Sequence, residues 1–409
     1  MKLPWRAVLL SGMAAILVIG VSGALLLPRL IDSQMIKNRI SSELVKKTTV
    51  TVTFDKIALL WFPWPSVVIE NAELSFADKN QGSIRTLRIY PSIFYLLTGR
   101  LVVRRALLQE PNFRIHLPER FEKPFDLEEL EKQIRSALAR FTRDFPAPID
   151  IDDGSAEIRI DDKPAVILEN VAAQTVGSPA ELRFELSARS NLCEHLKIEG
   201  KISPQSLASQ LDIGLQRLKI KDSLALLPSQ IFEYVRQGEA SLDVKMASVG
   251  LRKLKASVRG SVGRLVFAWH GPTVTTEAKS VKGEMTYEDG VVQVDVEQLN
   301  LGAPRLQASG QLKVRAGSLS ARIRLRDVDI AEVRDMALRT VGDVEGVKRI
   351  FLYVPAGKIP DMSIEAAGRS VADMASVKNM VVSAVMRNGK IFIPSPALEL
   401  KDVSGSVRI

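Results

Sequence analysis

Three histidines, one cysteine and a knot of aspartates are the residues of this 409-residue chain whose types could do chemistry. His116, His195 and His270 lie far apart in sequence, and none stands at the spacing of a metal motif or a nucleophile–base pair. Cys193-x-His195 is the one pair of soft ligands. With no further Cys or His nearby it reads as a small hydrophobe beside a polar residue. Asp150, Asp152 and Asp153 with Asp161 and Asp162 could offer calcium several carboxylate oxygens, but the EF-hand spacing is missing and a solvated hairpin turn explains them equally well. No Gly-x-Gly-x-x-Gly after a strand, Walker loop or Gly-x-Ser-x-Gly elbow occurs, so nucleotide chemistry and serine hydrolysis have no foothold. The expectation is a protein that is not an enzyme, with no catalytic residue, metal or cofactor.

Composition agrees with an ordered chain: 46% of residues are hydrophobic and 25% charged, which excludes wholesale disorder. A lone cysteine cannot form an internal disulfide, so burial alone must hold the fold. The net charge of +9 suggests nucleic acid until it is divided along the chain. The first 47 residues carry +5, and the rest holds 49 basic against 45 acidic residues, with no basic helix interleaved with aromatics. Nucleic acid is therefore not an expected partner.

Ala7 to Leu27 runs 21 residues without a charge. At 1.5 Å per residue that is about 31 Å, the thickness of a bilayer's hydrocarbon core. A cleaved signal peptide has a shorter apolar region, and here Ala24 to Leu27 continues past the small residues Ser22 and Gly23. The run predicts an uncleaved anchor. Just after it, Leu30, Met35, Ile36, Ile40 and Leu44 recur near helical spacing with Lys and Arg between them, predicting a helix that packs on the following sheet or lies at the membrane interface.

Past residue 48 the period changes to two. Phe113, Ile115 and Leu117 alternate with polar residues, as do Ala156, Ile158 and Ile160; Leu182, Phe184 and Leu186; Leu242, Val244 and Met246; Leu254, Ala256 and Val258; and Val292, Val294 and Val296. Leu319, Ala321, Ile323 and Leu325 against Ser320, Arg322, Arg324 and Arg326 is the clearest case. Each predicts a strand with one dry face. Asp153-Gly154, Asp289-Gly290, Ala316-Gly317-Ser318 and Asn388-Gly389 predict hairpin turns between such runs. Helices are expected from Asp126 to near Pro146, from Pro228 to Gly238, from Asp329 to Gly342 with Glu332 completing a capping box, and over Ser92 to Gly99. Val403 to Ile409 reads as a strand that stops without a turn or cap, an open edge.

Three stretches in this order resemble the start of AsmA-family proteins: Trp61 to Leu74 (WFPWPSVVIENAEL), Leu87 to Val103 (LRIYPSIFYLLTGRLVV) and Leu107 to Phe113 (LLQEPNF), all following an N-terminal membrane helix. The later apolar-x-x-Ser-Gly units resemble the family's C-terminal part. The chain departs from the family at Lys46-Lys-Thr-Thr49, where a Thr-Gly turn is common. The resemblance implies a bacterial inner-membrane protein, single-pass, with its body in the periplasm, related to bridge-like proteins whose long curled sheet carries phospholipid between envelope membranes.

On periodicity alone a second sheet covering the dry face is favoured; the anchor and the resemblance turn the expectation toward a groove. The expected fold is mainly β: an N-terminal transmembrane helix (1–28), an AsmA-like β region (29–120), a helical insertion (121–146) and a long curled antiparallel sheet forming an apolar groove (147–409), with a few short helices and a C-terminal end that reads as cut short. Val292, Val294, Val296, Leu312, Val314, Leu319, Ile323 and Leu325 are expected to line the groove, and Leu30, Met35, Ile36, Ile40 and Leu44 to admit lipid from the membrane. The expected partners are phospholipid and the inner membrane. The alternative is an assembly factor or scaffold for outer-membrane protein biogenesis that pairs with envelope proteins through its open strand edge.

Overall fold

Every alternating run named above falls within a strand. The computed structural model describes residues 51–60, 64–75, 80–92, 95, 102–117, 127–144, 147–160, 163–226, 235–250, 252–268, 273–341, 351–374 and 377–408. The predicted anchor and the segment from Leu30 to Leu44 lie outside them. Among the described residues the fold is mainly β, with a few short helices, and no helix is long and apolar enough to cross a membrane.

One unit takes the described strands up to Leu117 together with Ala147–Arg159 and Glu169–Gln174. Here β1 (Thr51–Thr53) and β2 (Lys56–Leu60) both pair with β3 (Ser66–Ser75), which pairs with β4 (Gln81–Pro91) and through it with β5 (Val103–Leu117), all antiparallel. Most of β6 (Ile149–Ile160) and the middle of β7 (Val166–Gly177) belong to this unit. Ile57, Ile69, Leu87 and Leu108 form one line across β2 to β5. With Val67, Ala72 and Ile84 around it, Ile69 is only 1% exposed, so this dry face is a closed core.

The other unit is a long meander. β8 (Leu182–Ser190), β9 (His195–Ile202), β10 (Ser209–Lys219), β11 (Val235–Gln237) and β12 (Glu239–Val249) lead into β13 (Lys253–Phe267), β14 (Val274–Glu288), β15 (Val291–Gly302) and β16 (Arg305–Arg315). β17 (Ser318–Asp329), β18 (Ala356–Gly368), β19 (Met380–Ile393) and β20 (Leu398–Arg408) complete it. Each strand pairs antiparallel with the next, except that β11 pairs with β13 and β10 pairs with β12. Among the described residues it carries α1 (Leu127–Asp144), α2 (Ile220–Leu224), α3 (Ile330–Val341) and α4 (Val371–Met374).

The strands share a device that the alternation pattern only hints at. In β3 the inward positions are Val67 and Ile69, then Ala72 and Leu74; the parity slips by one at Glu70-Asn71, where Asn71 has φ 53°. Glu110 in β5, Asp153 in β6, Asn170 in β7, Arg217 in β10, Asp327 in β17, Asn388 in β19 and Asp402 in β20 adopt the same left-handed backbone, and all are polar. Such a residue costs about 1–2 kcal/mol for an ordinary side chain and less for Asn or Asp, whose short polar groups bond locally. The Asn71 side chain reaches the turn between β1 and β2, donating from Nδ2 to Asp55 Oδ2 at 2.8 Å.

Two turn predictions are corrected by this device. Asp289-Gly290 and Ala316-Gly317 do close two-residue hairpins, with Glu288 opposite Val291 and Arg315 opposite Ser318. Asp153-Gly154 and Asn388-Gly389 instead lie inside β6 and β19, where the left-handed Asp or Asn makes a parity slip rather than a reversal. The helix expected to close at Gly238 is corrected at its end, since Val235–Gln237 is strand; its beginning, residues 228–234, lies outside the described residues. The side-chain tips of Leu265 and Ile220 lie 2.8 and 3.1 Å from where a Cβ on Gly238 would stand, so a larger residue there needs them to shift. α3 starts as expected, Asp329 Oδ1 accepting from Ala331 N at 2.9 Å and Glu332 N at 3.5 Å, but Glu332 does not complete a capping box. Its Oε2 accepts from Arg305 N at 2.8 Å.

Candidate functional site

Strand register assembles the inward residues of the larger unit into lines that cross the sheet. Leu186, Ile198, Ile213, Val244, Val258 and Gly283 stand opposite one another in turn from β8 to β14. The line continues through Val296, Gly310, Ile323, Ile364 and Val382 on β15 to β19. A parallel line runs Ala188, Leu196, Leu215, Leu242, Gly260 and Val281, then Leu299, Ala308, Leu325, Met362, Ala384 and Val407. A third runs Phe184, Gly200, Leu211, Met246, Ala256 and Met285, then Val294, Leu312, Ala321, Ala366 and Met380. No side chain in these three lines carries a charge, hydroxyl or amide. In a fourth line Leu254, Tyr287, Val292, Val314, Leu319 and Gly368 are adjacent, and the one polar pair beyond them, Ser209 and Ser248, is satisfied by its own hydroxyl contact of 2.7 Å.

All eight residues expected to line a groove lie on this face, and neighbours among them meet directly: Val294 opposite Leu312, Val292 opposite Val314, Val314 opposite Leu319. Adjacent strands are about 4.8 Å apart, so eleven of them carry the face for roughly 48 Å across the sheet. Alternate residues are about 6.8 Å apart along a strand, so four lines make it about 20 Å wide. The expected set covered only β15 to β17; the register adds β8 to β10, β12 to β14, β18 and β19, and in one line β20.

This face is not closed like the core around Ile69. None of the eight is buried, and Leu312 and Ile323 stay 37% and 39% exposed. Beyond the slips the same face closes: Val274, Thr276 and Ala278 on β14, Val328 on β17 and Ile330 at the start of α3 are all buried, and α3 touches β14, β17 and β18. Thr276 is satisfied there by donating to the Ala303 carbonyl at 2.7 Å. Along the strands, the apolar face is thus closed on one flank, at β14 and β17.

The opposite face is a lattice of cross-strand ion pairs. Lys253 meets Glu288 at 2.5 Å, Lys255 meets Glu284 at 2.9 Å, Arg322 meets Glu365 at 2.9 Å, and Lys282 meets Glu297. Hydrogen bonding to Glu288 holds the Lys253 ammonium above its ordinary value, and Glu199 does the same for Lys197. Exposed pairs add little stability each. Their effect is on register, since a one-residue shift would carry every charge onto the apolar side.

The residues first considered for chemistry are dispersed. Asp150 is drawn to Arg105, whose Nε lies 2.5 Å away and whose charge the carboxylate reinforces, while Asp152 and Asp153 point to solvent. Cys193 is buried in the turn between β8 and β9, where Ser190 N donates to its carbonyl at 3.0 Å, and burial pushes its thiol up; His195 is exposed at the start of β9. His116 is exposed on β5, and His270, Asp161 and Asp162 lie outside the described residues. Among the described residues no three His, Cys, Asp or Glu side chains are grouped to hold a metal. No family model matches the chain, and no curated protein or solved structure is significantly similar to it.

Proposed function

We propose that this protein is a membrane-anchored, non-enzymatic carrier of phospholipid acyl chains, held at a bacterial inner membrane by residues 1–28 with its body in the periplasm, and that lipid moves along the apolar face toward a second membrane. The observation that carries the reading is the charge-free set of lines across eleven strands, left partly exposed over most of its extent where a packed core would close. Burying a 16-carbon chain at about 0.8 kcal/mol per methylene yields roughly 12 kcal/mol before costs, enough to hold a lipid away from its bilayer. A wall mostly of Val, Leu, Ile, Ala, Met and Gly, with hydroxyls only at Tyr287, Ser209 and Ser248 in its outermost line, changes little from one position to the next, which favours passage over tight selection. The 21-residue apolar run and the AsmA-like stretches support the location.

The test is photocrosslinking in living cells with a photoreactive side chain at Ile323 and, as control, at Arg324. Phospholipid adducts at Ile323 and none at Arg324 are expected. Absence of lipid at both positions in a folded, correctly located protein overturns the reading.

A further inference from the structure

Arg88 on β4 is a cation without an anion. Its Nε is buried and has no hydrogen-bond partner, and among the described residues its guanidinium meets no carboxylate. The register accounts for this. On the face of the smaller unit that turns away from Ile69, Arg88 stands between Val68 of β3 and Leu107 of β5, and Val68 is only 6% exposed. The carboxylates in the adjoining rows of that face are taken by other cations. Glu70, opposite Thr86, lies 3.9 Å from Lys56, and Asp150 holds Arg105, which stands opposite Tyr90. A buried donor of a charged group is costly to leave unpaired, so the site calls for an acceptor that the chain does not supply.

The chemistry of that acceptor follows from the donor and its surroundings. The Nε–H of an arginine and one Nη–H project side by side, a fork that matches two oxygens of one anion. Around it the face is apolar: Ala58, Val68 and Leu107 share its row, and Leu60, one row nearer the β2–β3 connection, is 44% exposed. A free anion gains nothing from such neighbours, whereas an anion that carries acyl chains buries them there. We propose that Arg88 binds the phosphate of a phospholipid, with Leu60, Val68 and Leu107 against the glycerol end of its chains. The choice of occupant rests on the reading of the protein as a phospholipid carrier. Arg88 then supplies the headgroup contact that the uncharged lines of the larger unit lack.

The experiment places a photoreactive side chain at Leu60, or separately at Ile323, in the delipidated full chain in non-ionic detergent, and titrates it with dihexanoyl phosphatidylglycerol. Adducts are counted by mass spectrometry for the otherwise unaltered protein, Arg88→Lys and Arg88→Met, the last keeping the apolar stem and removing every donor. At Leu60, Arg88→Met is expected to raise the half-saturating lipid concentration about tenfold, and Arg88→Lys, which keeps the charge but loses the fork, to fall between. Inorganic phosphate at the same concentration is expected to leave the adducts in place. Because Arg88 has no partner to lose, Arg88→Met is expected to melt no earlier than the unaltered protein. Adducts at Leu60 that ignore Arg88→Met, their displacement by equimolar inorganic phosphate, or a markedly earlier melt of Arg88→Met overturns the proposal. Lipid at Ile323 with none at Leu60 overturns it alone, whereas lipid at neither overturns the carrier reading with it.

Discussion

Arg324 grips Asp361 across β17 and β18 through Nε at 2.6 Å and Nη2 at 3.1 Å, while the preceding residue, Ile323, faces Ile364 on the other side of the sheet. The hydrogen bond from Arg324 holds the Asp361 carboxyl below its ordinary value. A depressed folded-state value means that the contribution is fully present above the unfolded value, about 3.9, and is lost as pH falls through the folded one. Asp361→Asn is expected to melt slightly earlier than the unaltered protein at neutral pH and together with it in strong acid. Thermal unfolding at about pH 7 and about pH 2 measures the difference; a gap that persists in acid would contradict this assignment.

A charge on the apolar face acts differently from a cavity in the closed core. Val294→Lys is expected to deplete copurified phospholipid while leaving the melting temperature nearly unchanged, because the site is not buried. Ile69→Ala, at 1% exposure, is expected to cost about 2–5 kcal/mol without changing the lipid bound per folded molecule. Lipid extraction with mass spectrometry, beside urea unfolding, separates the two effects.

Gly310 lies between Val296 and Ile323, and a Cβ there would stand 2.6 Å from the Arg322 carbonyl oxygen. Backbone cannot yield as a side-chain tip can, so Gly310→Ala is expected to destabilise by roughly 1–3 kcal/mol. Denaturant midpoints of the single variant test it, and a neutral result would mean that the strands part more easily than the register implies.

Asn388 holds φ 50° at the slip in β19. Asn388→Ala is expected to lose about 1 kcal/mol through the left-handed backbone, whereas Asn388→Gly keeps or raises stability. If both fall equally, the Asn side chain rather than its backbone freedom sets the slip.

Much of the larger unit was legible because a strand with one wet side must alternate. Leu319 to Leu325 against Ser320 to Arg326 identified both faces of β17, and the expected lining residues share one face. The slips were present as doublets such as Arg387-Asn388 and Lys401-Asp402, but a polar doublet followed by Gly reads locally as a turn. Only the neighbouring strands, by pairing through it, decide that Asn388-Gly389 continues while Asp289-Gly290 reverses. The extension of the apolar lines into β8 to β13 was hidden for another reason. Ile198, Ile213 and Val244 become neighbours only through register, and Gly200 and Gly260, which interrupt the hydrophobic signal, fill positions where a Cβ would meet the Leu211 and Phe184 side chains and the Ser241 carbonyl oxygen, respectively.

From β12 to β20 each strand finds its partner in the one that follows it in the chain. Loop closure between such neighbours costs little entropy, so each segment can settle onto its predecessor before the remainder of the chain has folded. Assembly then proceeds by accretion, hairpin upon hairpin, and length becomes an independent variable: one hairpin more or fewer changes the reach by about 10 Å and leaves every other pairing as it was.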